Sequence, residues 1–396
     1  MKYTYKHTEY SCYLTYIVGA VLTNFAPLLF IVFTKNFGFS LKQLSYIIIV
    51  NFVTQIFVDL LGIKFVDKLG YRKTFIFALS FAFFGLVFLA TLPFIVNPFF
   101  GILFSVFLYS VGSGALEVLV SPTIEALPQN IGGLGLLHSF YCWGTVLMIC
   151  ISTAYFRLFS VDNWRYLCYF WAIIPLICVF LFTKVPIIPF KGDDEQAKSQ
   201  KGVSGKLFFA LAVAMTCSGA AEIAMSQWAS LFAETGLKVS KTMGDLLGPC
   251  FFALTMGLSR MYCGMYATRK LSVIPTLSIS CLVSVVGYLT ASLVKNPLVA
   301  LIGCGVTGLG IGFLWPGVLG LAAKYFKDSG TKIFAALAMF GDIGCTVGPY
   351  AVALVSSHFT VYGSDIKAGI LFASVFPVIL VFSLFRIKVI VKKNKK

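Results

Sequence analysis

Seven ionisable side chains lie inside long apolar runs of this chain: Asp59, Glu117, His138, Glu222, Asp245, Arg260 and Asp342. A charge in such a setting is expensive and by default marks a pathway or a polar partner. The chemistry open to these groups is holding and passing a proton, pairing ions, and hydrogen bonding a polar solute. Glu117 and His138 fall at similar depths in neighbouring runs, about 10–12 Å from the same end at a rise of about 1.5 Å per residue. An acid beside an imidazole can hold and relay a proton; the plainer alternative is a static hydrogen-bonded pair. Arg260 and Asp342 also lie at compatible depths and are expected to form a structural or gating ion pair. Four of the acids continue polar stripes at helical spacing. The stripes are Asn51, Gln55, Asp59; Tyr109, Ser113, Glu117; Glu222, Ser226, Ser230; and Asp342, Thr346, Tyr350. One stripe alone reads as an interhelical hydrogen bond. Four together point to a shared wet cavity.

The elements that must position these residues follow from composition. Of 396 residues, 59% are hydrophobic and 12% charged, against about 25% charged in a soluble domain. So few charges cannot cover a water-facing surface. A bilayer core of about 30 Å needs roughly 20 apolar residues per helix, and only helices or closed barrels satisfy their backbone there. The apolar runs here far exceed the roughly 10-residue alternating segments of a barrel. Twelve runs are expected to be membrane helices: 10–34, 41–65, 73–93, 98–125, 131–156, 164–183, 207–233, 242–266, 272–294, 297–323, 332–357 and 366–387. The first is read as a retained span, because MKYTYKHTEY is too polar to open a signal peptide.

The only long charged linker, 184–206, follows six runs and precedes six more. It divides the chain into an N-terminal half, 1–183, and a C-terminal half with a basic tail, 207–396. The halves echo each other. GIKFVDKLG (62–70) matches GMYATRKLS (264–272), Ser40 and Ser240 each open a second span, and the Gly-x-Gly run before Pro122 matches Gly308, Gly310, Gly312 and Pro316. The expectation is an all-α membrane protein of twelve transmembrane helices in two six-helix pseudo-symmetric halves. Lys and Arg gather in the N-terminal tail, 64–73, 184–206, 269–270, 324–332 and the C-terminal tail. The positive-inside rule then places both termini in the cytoplasm, in a plasma (inner) membrane.

The net charge of +16 therefore reads as topology and does not point to nucleic acid. The 11 cysteines are scattered singly without metal-ligand spacing, and behave as small buried hydrophobes. With three histidines far apart in sequence, no catalytic or metal-binding cluster is expected, and there is no Walker loop. No cofactor is expected, and the chain is read as no enzyme. The partners expected are the bilayer, a small solute and a proton, with sodium as the alternative ion, for a monomer.

Two stretches carry a family resemblance. Gly62 to Lys73, with Asp67, Gly70 and Arg72, resembles the signature loop of the major facilitator superfamily. The resemblance implies a cytoplasmic latch made by Asp67 and Arg72; the alternative is a basic loop that only sets topology. Arg269 stands where the second copy would carry its acid. GSGALEVLVSPTIEALPQN (112–130) with LLHSFYCWG (136–144) resembles the fucose–galactose–glucose:proton symporter branch, as do GAAEIAMSQW (219–228) and GDIGCTVGP (341–349). What the resemblance implies is the major facilitator fold and a secondary transporter that moves a small hydrophilic solute, a sugar, by alternating access coupled to protons. Glu117 then falls where that branch carries a coupling acid, and His138, Glu222 and Trp228 match branch positions. Trp228 would stack on a sugar ring or, alternatively, anchor at the interface. Asn24, Asn51, Gln55, Ser113 and Tyr141 complete the expected cavity, with Asp59, Asp67, Arg72, Arg260 and Asp342 as gating or ion-pair groups. One departure stands out. The branch's fucose permease has a second functional acid in span one, and VLTNFAPLLF (21–30) has none. Coupling would then rest on Glu117 or move to Glu222 or Asp59. Efflux of a drug or metabolite by the same fold, and a non-transporting membrane sensor, are the competing readings.

Overall fold

The computed structural model describes residues 3–127, 133–188, 205–263, 272–326 and 330–393, with side chains described for all of these except 62–68, 125, 133–136, 323, 330–335 and 393. Asp67 as a side chain, Arg269 and most of the 184–206 linker lie outside the described residues. The chain divides into two compact units, Met1–Lys191 and Gly192–Lys396. Apart from one isolated bridge between Val361 and Ser364, the regular structure described is helical.

In the first unit α1 spans Tyr5–Leu28 and continues as α2, Phe30–Phe37. The start lies five residues before the apolar run because Thr4 caps it: its N–H donates to His7 Nδ1 at 3.1 Å. This is a capping box with imidazole in place of the usual carboxylate or amide. The break at Leu29 follows Pro27 inside the helix, where a proline removes a backbone donor. α3 is Leu41–Leu69 and α4 is Tyr71–Thr91, joined only through Gly70. Gly70 has φ +78°, a conformation in which a side chain would be strained. α5 is Pro98–Glu125, α6 Gly133–Phe159 and α7 Trp164–Lys184. α1 packs on α6, and α5 on α3 and α4. A Cβ at Gly112 would collide with the Ala78 carbonyl, so glycine is what lets α5 lie so close to α4.

The second unit repeats these pairings. α8 is Gly205–Leu231; α9 is Lys241–Asp245 and α10 Phe251–Tyr262; α11 is Val273–Leu293; α12 is Pro297–Ile311 and α13 Leu314–Tyr325; α14 is Gly330–Ser356; α15 is Asp365–Ala373 and α16 Val375–Lys393. α8 packs on α14, and α12 on α10 and α11. A Cβ at Gly310 would collide with Ser284 of α11, as one at Gly112 would with α4. Asn97 and Asn296 each cap the helix that begins at the following proline, accepting from the N–H of Phe99 at 3.1 Å and Leu298 at 3.0 Å. Proline at the first helical position removes a donor that would be unpaired anyway.

Among the described residues, eleven helices are long and apolar enough to cross a membrane. The expected eighth span, 242–266, is not among them. It is helical from 241 to 263, but a π-helical turn, Leu246–Cys250, containing Pro249 divides it into α9 and α10. Wide π turns relieve the clash a proline makes with the preceding carbonyls.

Candidate functional site

In the first unit the site is built on the contact between α1 and α6. A Cβ at Gly144 would sit 3.0 Å from both Ala20 Cβ and Ile17 Cα, so a glycine here brings the two backbones close. That approach lets Asn24 of α1 reach α6. Its Nδ2 donates to Tyr141 Oη at 3.1 Å and Thr145 Oγ1 at 3.3 Å, and to the Ala20 carbonyl of its own helix at 3.0 Å. Asn24 and Tyr141, both expected in the cavity, are thus brought together, with Thr145 added.

About two turns back along α1, Tyr16 reaches the acid and the imidazole. Its ring meets His138 edge to face at a centroid distance of 5.3 Å. Its hydroxyl lies 3.2 Å from Ser121 Oγ, and the Glu117 carboxylate acts on it electrostatically. Glu117 and His138 are exposed and Tyr16 is half-buried. Glu117, Ser121 and His138 therefore gather around one phenol. Tyr16 and Ser121 were missed from sequence. Ser121 was legible, since it continues the Ser113–Glu117 stripe by one more step of four. Tyr16 was not, because nothing in a single sequence sets the rotation of α1 against α5 and α6.

Other expected cavity residues are closed against water. Asn51 and Gln55 are 4% and 5% exposed. Gln55 Nε2 donates to Asn51 Oδ1 at 3.1 Å, and Ser110 Oγ of α5 donates to the same oxygen at 2.6 Å. This stripe is an interhelical tie between α3 and α5 in this structure, and not cavity lining. Ser113 is buried as well. Span one also differs from expectation. Because α1 begins at Tyr5, it includes an acid, Glu9, which is buried and accepts from Tyr13 Oη at 2.6 Å. Tyr13 in turn stacks on Phe140 of α6 at 4.4 Å.

Arg72 donates through Nη1 to the Phe182 carbonyl at 2.6 Å and through Nη2 to the Val185 carbonyl at 2.8 Å. It therefore caps the C-terminal end of α7, where carbonyls lack partners and the helix dipole favours a cation. Asp59 is half-buried on α3.

The second unit holds a different arrangement. Arg260 of α10 donates through Nη2 to Glu222 of α8, at 2.9 Å to Oε1 and 2.8 Å to Oε2, and through Nε to the Gly312 carbonyl at 3.3 Å. From sequence Arg260 was expected on Asp342; the carboxylate it grips here is that of Glu222, itself buried. Asp342 is buried on α14, and its backbone carbonyl accepts from Thr346 Oγ1 at 3.0 Å. Trp228 is fully buried and donates its indole N–H to the Pro349 carbonyl at 3.1 Å. It is neither an interfacial anchor nor an open platform for a ring in this structure. It ties α8 to α14. A further cluster was missed. Lys241 Nζ lies 3.3 Å from Glu234 Oε1 and 3.0 Å from Asp245 Oδ2, while Ser230 Oγ donates to Asp245 Oδ1 at 2.5 Å. Glu234 lies in the π-helical turn Phe232–Gly236 that ends the α8 segment. No group of three or more potential metal ligands occurs among the described residues.

Eleven membrane-length helices among the described residues, packed in close pairs, define a polytopic membrane protein. The sequence profile of the Major Facilitator Superfamily matches residues 12–390, and the chain belongs to that family. No curated protein matches this chain. Among solved structures, it is similar to a D-xylose-proton symporter, with TM-score 0.76 and 13% identity over 95% of this chain and 94% of that one. It is similar to the nucleoside transporter NupG, with TM-score 0.72 and 15% identity over 96% and 98%. It is also similar to the E. coli fucose:proton symporter FucP, with TM-score 0.62 and 16% identity over 95% and 97%. At these identities the likeness establishes the fold.

Proposed function

We propose that this protein is a secondary transporter that carries a small hydrophilic solute, a sugar, together with a proton by alternating access, with Glu117 as the proton site. The observation that carries this reading is the exposed Glu117 of α5 gathered with Ser121 and with His138 around Tyr16, a group that shares α1 and α6 with the Asn24–Tyr141–Thr145 cluster. The first group can change protonation; the second offers amide and hydroxyl groups suited to a hydroxylated solute. The D-xylose, fucose and nucleoside transporters that share the fold support a polar solute over a lipophilic drug.

The finer architecture belongs to the same reading. The helical stretch 241–263 is the twelfth span, and the two units are pseudo-symmetric halves, 1–183 and 207–396, joined by a cytoplasmic linker, 184–206. The matched Asn–Pro caps and the paired glycine contacts support this. Both termini face the cytoplasm, the membrane is the plasma (inner) membrane, and the chain works as a monomer. The chain alternates access, as transporters built from repeats do.

The test is counterflow in proteoliposomes against a panel of monosaccharides, with nucleosides and lipophilic drugs as separate arms, with and without an imposed pH gradient. Uptake of one monosaccharide, driven further by an acid exterior, is the expected result. Glu117→Gln should keep counterflow and lose accumulation driven by the pH gradient. Unchanged gradient-driven accumulation in Glu117→Gln removes Glu117 from coupling. Transport of nucleosides or drugs with no sugar response removes the sugar.

A further inference from the structure

Tyr16 has no role in the expectations drawn from sequence, yet it lies against His138 and Ser121 and within the field of Glu117. Its ring lies against His138, its hydroxyl against Ser121, and the Glu117 charge reaches it. Glu117 and Ser121 are four residues apart on α5, so they share a face one turn from each other, about 6 Å along the axis. A phenol hydroxyl can both donate and accept, and rotates to suit its partner. A carboxylate is the stronger acceptor of the two, since a charged partner makes a hydrogen bond roughly twice as strong as a neutral one. Once Glu117 is protonated, that advantage disappears and Ser121 can compete.

We propose that Tyr16 is a positioning residue for proton coupling: its hydroxyl donates to Glu117 when the acid is charged and turns to Ser121 when Glu117 holds a proton. The inference rests on the reading of Glu117 as the proton site. The proton itself moves on and off the Glu117 carboxyl, while the Tyr16 O–H bond stays intact and only its acceptor changes. In the structure the hydroxyl lies 3.2 Å from Ser121 Oγ, within reach of the bond it makes when Glu117 is protonated. Tyr16 sits on α1 eight residues before Asn24, about 12 Å along the helix. A turn of the phenol therefore bears on the same helix that carries the bonds to Tyr141 and Thr145. Protonation of Glu117 would reach the polar cluster through α1 and not through direct contact.

Besides Tyr16, the ionisable groups on the helices packed against α5 are Tyr5, Lys6, His7, Glu9, Tyr10, Cys12 and Tyr13 on α1; Lys42, Tyr46, Asp59, Lys64, Asp67 and Lys68 on α3; Tyr71, Arg72 and Lys73 on α4; and His138, Tyr141, Cys142, Cys150, Tyr155 and Arg157 on α6. A test must therefore separate the hydroxyl from these charges, which Tyr16→Phe and Ser121→Ala both leave in place. The measurement is a pH titration of purified, solute-free protein, following the carboxylic-acid C=O stretch by infrared difference spectroscopy. The Glu117 band is assigned as the one that Glu117→Gln removes. Tyr16→Phe keeps the ring on His138 and loses the donor to the charged acid, so the charged form is harder to reach. Its titration midpoint should rise by about one pH unit. Ser121→Ala removes the acceptor used when the acid is neutral, so its midpoint should fall by about half a unit. A general loosening of structure would not move the two variants in opposite directions, and melting temperatures of both check that they fold. Midpoints equal to wild type in Tyr16→Phe, or shifts of the same sign in both variants, overturn the role of Tyr16 and leave Glu117 standing. Absence of any band that Glu117→Gln removes overturns the proton site and the inference with it.

Discussion

The two units each carry a glutamate in an apolar helix, and the structure treats them oppositely. Glu117 is exposed, with a phenol, a hydroxyl and an imidazole nearby. Glu222 is buried and held by both oxygens on one guanidinium nitrogen, while the same Arg260 also bonds the Gly312 carbonyl. The neighbours of Glu117 can follow a change in its charge, since a hydroxyl reorients and an imidazole can donate or accept. Arg260 cannot lose its proton, so the Glu222 carboxylate faces a permanent cation. The same residue type thus sits among reorientable neutral groups in one unit and in an ion pair with a guanidinium in the other. The locking partner decides the difference, and the depth of the acid in its helix does not.

The largest expected effect falls on the locked pair. Arg260→Met leaves Glu222 buried without its cation and should destabilise the protein by about 3–5 kcal/mol, read as a large drop in melting temperature in detergent. Arg260→Met combined with Glu222→Leu should recover most of that loss, because a buried ion pair is often replaceable by apolar groups. If the single variant melts like wild type, the pair is not the lock described. An intermediate effect is expected at Trp228. Trp228→Phe removes the donor to the Pro349 carbonyl, a loss of one buried hydrogen bond worth about 0.5–1.5 kcal/mol. It should also leave a gradient-driven transport ratio unchanged, since the indole is enclosed. A selective loss of sugar transport with normal melting would instead put Trp228 in the solute path. The smallest effect on stability belongs to Glu117→Gln, within about 0.5 kcal/mol as for an exposed position, while accumulation driven by a pH gradient disappears. A large melting shift in this variant would erase the contrast between the two glutamates.

Much of the frame was readable in the sequence. The low share of charged residues and the length of the apolar runs point to membrane helices, and eleven stretches are long and apolar enough to cross. The signature loop at 62–73 and the 112–144 block carried the family resemblance, and the family match covers residues 12–390. The features that escaped have physical causes. The start of α1 moved to Tyr5 because a Thr4–His7 cap extends the helix past the apolar run, and a hydropathy boundary does not register a cap. That shift is why Glu9 was placed outside span one. The eighth span was divided at Pro249 by a π turn, which proline permits but does not by itself dictate.

By itself, the sequence determined which residues are costly to bury and how far along its helix each lies, because composition and a fixed rise per residue settle both. Glu117, His138, Glu222 and Arg260 stood out on those grounds alone. Only the tertiary structure decided who meets whom. Arg260 has several acids at compatible depth, and the rotation of α8 and α10 about their own axes brings Glu222 within its reach. In the same way, the close approach at Gly144 brings Asn24 to Tyr141, and the facing of α1 brings Tyr16 to Glu117, Ser121 and His138. Helix rotation is set by many small packing contacts summed over a whole interface, and so it is not written in the spacing of any one segment.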